Sequence, residues 1–344
     1  MQLKQYLSPQ DIATWHDLVD PANNITVVGH SGPDGDAIGS ILTMTRYLRS
    51  LGKQATPITP NAFPDFLRWL PGIEQVKTYF SQPERVGQLV NDSDLIICLD
   101  FSSHNRLDEL EKPLMEARKP LIVIDHHLAP QLRADLLISD PSASATCEIV
   151  FSILHQIAPQ SLEDRQTASC IYCGLMTDTG AFAYNSNRPE LYHIVALLIA
   201  AGIDKDKIYR NVYYNYSESR LRLLGHILSD KMIYLPREHA AVFTLTTREM
   251  KQYNFMRGDA EGIVNFPLQI KGTRLSISLR EDTDKPIVRV SLRSVDNFPC
   301  NKMAEEFFNG GGHLNAAGGQ LPKPIDQALQ TTLRAIKAYS NLLI

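Results

Sequence analysis

LIVIDHHLAP, residues 121–130, sets the reading of the whole chain. Leu121, Ile122, Val123 and Ile124 form an apolar run without a polar break, which suits a central parallel strand covered on both faces. Asp125, His126 and His127 follow where that strand would end. In open α/β sheets the rim beyond the carboxyl ends of the strands is where ligands bind. Adjacent side chains on an extended chain point to opposite faces, so one histidine can face a metal while its neighbour faces something else. Taken alone, the triplet fits equally a turn-capping aspartate beside two half-exposed histidines.

Outward from that strand, ITVVG (25–29), LIICLD (95–100) and ADLLISD (134–140) also read as strands, each followed by a polar turn and a helix-like stretch. The expectation is a parallel α/β domain over residues 1–189. Ile38, Leu42, Thr45 and Leu48 share one face of a helix that follows Asp34 and Asp36 and ends by Gly52. SASATCEIVFSILHQI opens another helix with Ser144 or Thr146 as cap, and DRQTASCIYCGLMTDTGAF gives a helix stopping at Thr177 to Gly180. Residues 190–230 lose the alternation and are expected as a helical connector. Beyond it, KMIYL, AAVFTLT, RLSISLR and IVRVSLRS alternate as short strands, so 231–344 is expected as a smaller mixed α/β domain.

Composition limits the function classes. At 344 residues with 44% hydrophobic and 21% charged, the chain is globular and long enough for two domains. No apolar run approaches the ~20 residues that span a bilayer, and MQLKQYLSPQDIATW lacks the order of a signal peptide, so a cytoplasmic protein without membrane contact is expected. Five scattered cysteines fit reduced, buried thiols; Cys170 and Cys173 form a CxxC in a helical pattern with no second pair to complete a zinc site. A net charge of −4 argues against coating nucleic acid through the whole surface, and leaves room for a small anion in a local basic pocket.

Four segments deliver acids or imidazoles to element ends. GHSGPDGDAIGS carries His30, Asp34 and Asp36 on a Pro/Gly loop, a chelating set for Mn²⁺, Mg²⁺ or Zn²⁺. Asp100 ends LIICLD, Asp125 to His127 end LIVID, and Asp178 closes a helix in TDTG. So many carboxylates gathered on one rim repel unless cations neutralise them. Two ions about 3.5–4 Å apart with a bridging carboxylate are the simplest arrangement that uses the whole set.

The order His30, Asp34, Asp36, then Asp100, then Asp125-His126-His127, then Asp178 resembles the DHH phosphoesterases, and SLRSVDNFPCNKMAEEFFNGGGHLNAAGG resembles the DHH-associated C-terminal domain. The resemblance runs from about residue 20 to 325, and within the family the chain is most similar to the branch of oligoribonucleases that also dephosphorylate pAp. It implies an active site in an interdomain cleft, with His30, Asp34 and Asp100 on one ion and Asp36, Asp100, His126 and Asp178 on the other. Asp125 would then orient a ligating imidazole such as His30, and His127 would contact the scissile phosphate or protonate the leaving oxygen. Two divalent cations are implied, with Mn²⁺ expected and Mg²⁺, Zn²⁺ or Co²⁺ as alternatives.

In the C-terminal part, Gly310, Gly311, Gly312 and His313 read as a backbone grip for phosphate, joined by Arg293 and Ser294 and, from the first domain, by Arg106. Pro299 and Cys300 stand where the family often has an Asp-Val pair, which leaves base and sugar contacts open. The implied substrates are short single-stranded RNA, dinucleotides and pAp. Cyclic di-AMP or pApA, polyphosphate, and an inactive nucleotide-binding module are the rival readings, and a homodimer is compatible with all of them.

Overall fold

The computed structural model describes residues 3–256 and 258–343. The chain divides into two compact units, Met1–Asn215 and Tyr216–Ile344. The first unit is built on a six-stranded sheet: β1 (Asn24–Val28), β2 (Gln54–Thr59), β3 (Lys77–Thr78), β4 (Leu95–Leu99), β5 (Leu121–Asp125) and β6 (Leu136–Ser139). All neighbours pair in parallel, in the order β3-β2-β1-β4-β5-β6. That is the doubly wound order, whose direction reverses between β1 and β4 and opens a crevice at their carboxyl ends.

The uninterrupted apolar strands are explained by two cores, one on each face. Along β4, Leu95, Ile97 and Leu99 enter the larger core while Ile96 and Cys98 enter the smaller one. Along β5, Ile122 and Ile124 take the first side and Leu121 and Val123 the second. The period of two makes the strand apolar throughout because neither face meets water. The larger core holds helices Gly35–Ser50, Thr146–Ile157 and Arg165–Asp178 against the sheet. These helices approach closely through small residues: a Cβ on Gly39 would lie 2.5 Å from the Cys170 carbonyl oxygen, and one on Gly174 would lie 2.3 Å from Cys147 Sγ.

Two strands of the first unit escaped the sequence reading. Pro57 interrupts β2 and β3 is two residues long, so neither shows a strand pattern. The segment expected as a connector divides between the units. Helices Pro189–Ala200 and Lys205–Tyr213 put Leu191, Ile194, Leu198, Ile208 and Val212 into the larger core of the first unit. Helix Glu218–His226 instead packs Leu223 against Phe243 and Leu245 in the second.

The second unit carries β7 (Met232–Leu235), β8 (Ala240–Leu245), β9 (Leu275–Glu281), β10 (Ile287–Ser294), β11 (Gly311–Gly312) and β12 (Ala316–Pro322) in the order β11-β12-β10-β9-β8-β7. The pairing is antiparallel except between β8 and β9. Helices Cys300–Phe307 and Ile325–Ala338 cover one face and contribute Met303, Ala304, Ala328, Ala335 and Ile336 to its core. Among the described residues no helix is long and apolar enough to cross a membrane.

Candidate active site

Each carboxylate and imidazole of the rim is placed by the end of its own element. His30 lies two residues beyond β1, and Asp34 caps the next helix, its Oδ1 accepting from the N–H groups of Asp36 (3.0 Å) and Ala37 (3.1 Å). Asp36 is buried in the first turn of that helix. Its oxygens accept from two backbone donors at the start of helix Thr146–Ile157: Oδ2 from Thr146 (2.6 Å) and Oδ1 from Cys147 (2.9 Å). Ser144 and Thr146 were expected to cap that helix; its cap position is Ala145, without a side-chain bond. The orphan N–H groups are satisfied by Asp36 from another helix instead, which leaves the Thr146 hydroxyl to donate to Asp100 Oδ1 at 2.9 Å.

Asp100 follows β4 with a left-handed backbone, φ 68°, and is buried. Its Oδ2 is 3.3 Å from His30 Nε2, and its Oδ1 is 3.5 Å from His126 Nε2. One carboxylate thus faces two clusters. In the first, His30, Asp34 and Asp100 bring one ligand atom each within 4.8 Å of one another. The second, formed by Asp36, His126 and Asp178, meets the same limit. In it His126 Nε2 lies 3.4 Å from Asp178 Oδ2 and 4.0 Å from Asp36 Oδ2.

The imidazole tautomers follow from their other nitrogen. His30 Nδ1 donates to the Ser31 carbonyl at 2.9 Å and His126 Nδ1 to the Ala143 carbonyl at 3.3 Å, so in the neutral form of each ring the lone pair is on Nε2, on the side of the carboxylates. His30 stays neutral, because burial first and the Arg106 charge second hold its pKa down at about 3. Its Nε2 is buried without a hydrogen-bond partner, facing an acceptor oxygen. Burial and the neighbouring Asp36, Asp34 and Asp178 push the Asp100 carboxyl well above the usual range. For His126 burial opposes the charged form, yet Asp178 and Asp36 outweigh it and raise its pKa. Lone pairs and carboxylates converging in a buried space call for positive charge, and the mixed nitrogen and oxygen donors fit borderline or hard divalent cations.

The two histidines of the triplet meet edge to face, their ring centroids 4.7 Å apart and the planes inclined at 68°. Asp125 holds His127, accepting from its Nδ1 at 2.8 Å and its backbone N–H at 3.1 Å, and also from the Ser102 hydroxyl. Burial opposes ionisation of Asp125, but the bonds from His127 and Ser102 outweigh it and place its pKa at about 2. The expectation that Asp125 orients His30 is corrected: strand alternation sends Asp125 to the opposite face from His126, where Ser102 and His127 are its partners. Arg106 is near enough to influence both His30 and Asp34 electrostatically, and its carbonyl accepts from the Ser31 N–H at 2.7 Å.

In the second unit Arg293 and Ser294 end β10 beside the turn that carries His313. The Ser294 hydroxyl is committed within the fold: it donates to the Phe298 carbonyl at 3.0 Å and accepts from Asn315 Nδ2 at 2.9 Å. The glycines serve strand packing. A Cβ on Gly310 would stand 1.9 Å from the Gly318 carbonyl oxygen, and one on Gly312 2.6 Å from that of Ala316. Gly311 and Gly312 form the edge strand β11, so the run is a hairpin arm and not a free loop. A cavity of about 720 Å³ opens alongside, lined by Arg274, Asn297, Pro299, Asn301, Lys302 and Leu314.

The sequence reading missed Ser102, Thr146 as a link between the clusters, and the pair Glu148 and Arg188. Ser102 stands two residues after Asp100 and Thr146 sits at a helix start, but only pairing of distant segments gives either its role.

Residues 24–175 match the DHH family N-terminal domain, and residues 239–341 match the DHHA1 domain. The chain belongs to the DHH family. An exopolyphosphatase-related protein from Bacteroides fragilis, of known crystal structure, is 42% identical with a TM-score of 0.93 and coverage of 99% of both chains. The bifunctional oligoribonuclease and PAP phosphatase NrnA of Thermus thermophilus is 28% identical over 91% of this chain and 89% of its own. The cyclic-di-AMP phosphodiesterase GdpP of Bacillus subtilis is 25% identical over 94% of this chain, which spans 49% of that relative. DHH phosphoesterases are metal-dependent hydrolases of phosphoester bonds, and this DHH chain is a hydrolase of that kind.

Proposed function

We propose that this DHH protein is a two-cation phosphohydrolase that degrades very short oligoribonucleotides to mononucleotides and dephosphorylates pAp. The observation that carries the reading is the pair of clusters with Asp100 between them, one of its oxygens 3.3 Å from His30 Nε2 and the other 3.5 Å from His126 Nε2, and with that His30 Nε2 buried and unpartnered. His30, Asp34 and Asp100 would hold one ion, and Asp36, Asp100, His126 and Asp178 the other. Bound divalent cations, with Mn²⁺ the expected pair, would supply a water ionised near neutral pH and offset charge on the phosphate.

The chain's own groups do the rest. Asp125 fixes the His127 ring through Nδ1, so His127 can hold a proton at Nε2 and deliver it to the leaving oxygen. Arg106 adds a guanidinium for a phosphate oxygen. Arg293 and His313 are assigned to the distal phosphate, with Gly310 to Gly312 shaping the hairpin that carries His313 and Ser294 steadying the turn. The cavity beside them supports a nucleotide substrate, because it combines Arg274 and Lys302 with amides and apolar walls. A polyphosphate chain would gain nothing from Pro299 or Leu314.

Polyphosphate remains the second reading because of the 42% identical relative's description. The test is product release by the full Mn²⁺-loaded chain from pApA, a 5′-phosphorylated RNA pentamer, pAp, cyclic di-AMP and tripolyphosphate, each with and without chelator. AMP from pApA and pAp, lost with chelator, is the expected result. Turnover of tripolyphosphate or cyclic di-AMP alone would overturn the substrate assignment.

A further inference from the structure

Glu148 is buried, 3% exposed, on the third residue of helix Thr146–Ile157, and none of its interactions involves the rim carboxylates. Its Oε2 accepts from the Ser144 N–H at 2.8 Å and from Arg188 Nη2. Arg188 Nη2 also donates to the Ser144 hydroxyl at 3.2 Å, and that hydroxyl donates to the Asn185 carbonyl at 2.6 Å. Glu148 is buried while the Arg188 side chain is 31% exposed; a carboxylate taken out of water at such a cost and met by a single guanidinium asks for a positional reason.

The geometry supplies one. The turn clamped by Glu148 and Ser144 presents four groups to the rim: the Ala143 carbonyl to His126 Nδ1, the Thr146 N–H and hydroxyl to Asp36 and Asp100 respectively, and the Cys147 N–H to Asp36. Asn185, at the other end of the clamp, belongs to the coil that follows Asp178. In that coil the Thr179 carbonyl accepts from the N–H groups of Ala183 (2.9 Å) and Tyr184 (3.1 Å), so Asp178 is tied through its neighbour to the same network. Asp36, His126 and Asp178 are therefore all braced by the pair that buried Glu148 makes with Arg188. Of the other cluster only Asp100 takes a bond from this turn, from the Thr146 hydroxyl; His30 and Asp34 are braced elsewhere, through Ser31 and the N–H groups of Asp36 and Ala37.

We propose that Glu148 and Arg188 are positioning residues for the Asp36, His126 and Asp178 cluster, and that without them this cluster loses its cation before the His30, Asp34 and Asp100 cluster does. The inference rests on the two-cation reading above. Groups that orient ligands in this way typically change metal affinity about 10–100-fold when removed.

The test titrates the chelated full chain with Mn²⁺ by calorimetry and follows the exchange-coupled signal of a Mn²⁺ pair by electron paramagnetic resonance. Wild type is expected to bind two ions. Arg188→Gln and Glu148→Gln are expected to bind the first ion within about threefold of wild type and the second about 10–100-fold more weakly, so that the coupled signal gives way to that of an isolated ion. Turnover should return at high Mn²⁺, which a general loss of fold would not allow. Arg188→Lys, which keeps the charge but lacks the forked donor, should fall between, and it carries the test if Glu148→Gln does not fold. Two unaltered affinities in the variants, or an equal loss at both sites, would overturn the positioning role while leaving the two-cation reading intact. Fewer than two ions in wild type would overturn that reading and this inference with it.

Discussion

Gly174→Ala is the perturbation whose outcome the structure fixes most tightly. The residue lies in helix Arg165–Asp178, where an added Cβ would stand 2.3 Å from Cys147 Sγ and 2.8 Å from Asp36 Oδ1. Alanine gains about 1 kcal/mol over glycine in a helix interior, and overpacking a close-packed core costs about 1–3 kcal/mol. The overpacking should win, because the nearer atom must retreat by about an ångström to reach ordinary contact at 3.4 Å. Asp36 must yield by at least about half an ångström, and both of its oxygens are pinned by the Thr146 and Cys147 N–H groups.

Sites of this kind tolerate only ~0.5 Å of misplacement, and ~1 Å costs on the order of a hundredfold in rate. Gly174→Ala is therefore expected to lower kcat on pApA by about 10–100-fold, with a fall of a few degrees in Tm measured with chelator present. In a Cys147→Ala background the Sγ obstacle is gone, while the Cβ of residue 147 at 3.0 Å and Asp36 Oδ1 at 2.8 Å remain. The double variant should recover most of Tm but a smaller part of kcat. A Gly174→Ala enzyme with wild-type kcat would refute the reasoning, because it would mean that Asp36 can move without consequence.

Other outcomes follow from single contacts. If His127, whose ring Asp125 holds, supplies the proton proposed for it, His127→Asn should reduce kcat by about 10²–10⁴-fold with Mn²⁺ content unchanged, as elemental analysis beside kinetics would show. Gly310→Ala should lower Tm, because its Cβ would meet the Gly318 carbonyl, whereas His313→Ala should raise KM and leave Tm in place; a Gly310→Ala protein as stable as wild type would return the glycine run to a pure phosphate grip. Glu249 provides a pH test. Burial opposes its ionisation, but Lys231 at 2.7 Å and the Thr246 donors outweigh it and lower its pKa from 4.5 to about 2. A carboxyl depressed in the folded state stabilises it above the unfolded pKa and loses that contribution as pH falls from about 4.5 towards 2. The urea midpoint should fall over that window, and Glu249→Gln should flatten the slope.

Much of the rim was legible because its residues sit at element ends that the sequence itself marks. The apolar runs of β4 and β5 announce buried parallel strands, and Asp100 and Asp125 are the first polar residues after them. Gly and Pro around Asp34 announce the turn, and Asp34 became the cap that such a position favours. The parts that stayed hidden are pairings between segments far apart in the chain. The partner of Asp125 depends on which face of the sheet its strand position selects, and the local pattern could not tell His30 from His127. Thr146 shows no sign of serving Asp100, because the two are joined only when helix Thr146–Ile157 is brought against the end of β4.

By itself, then, the sequence determined the chemistry available: six carboxylates and imidazoles at element ends, a parallel α/β domain to carry them, and a second, mixed α/β unit with a glycine run before His313. Tertiary structure alone decided that the Thr146 hydroxyl donates to Asp100, that Asp36 is held by backbone donors of another helix, and that Gly310 and Gly312 are demanded by the neighbouring strand. The physical reason is that side-chain identity and local periodicity are encoded in neighbouring residues. A hydrogen bond between positions 36 and 146, or a carbonyl 1.9 Å from a missing Cβ, exists only once distant segments have packed.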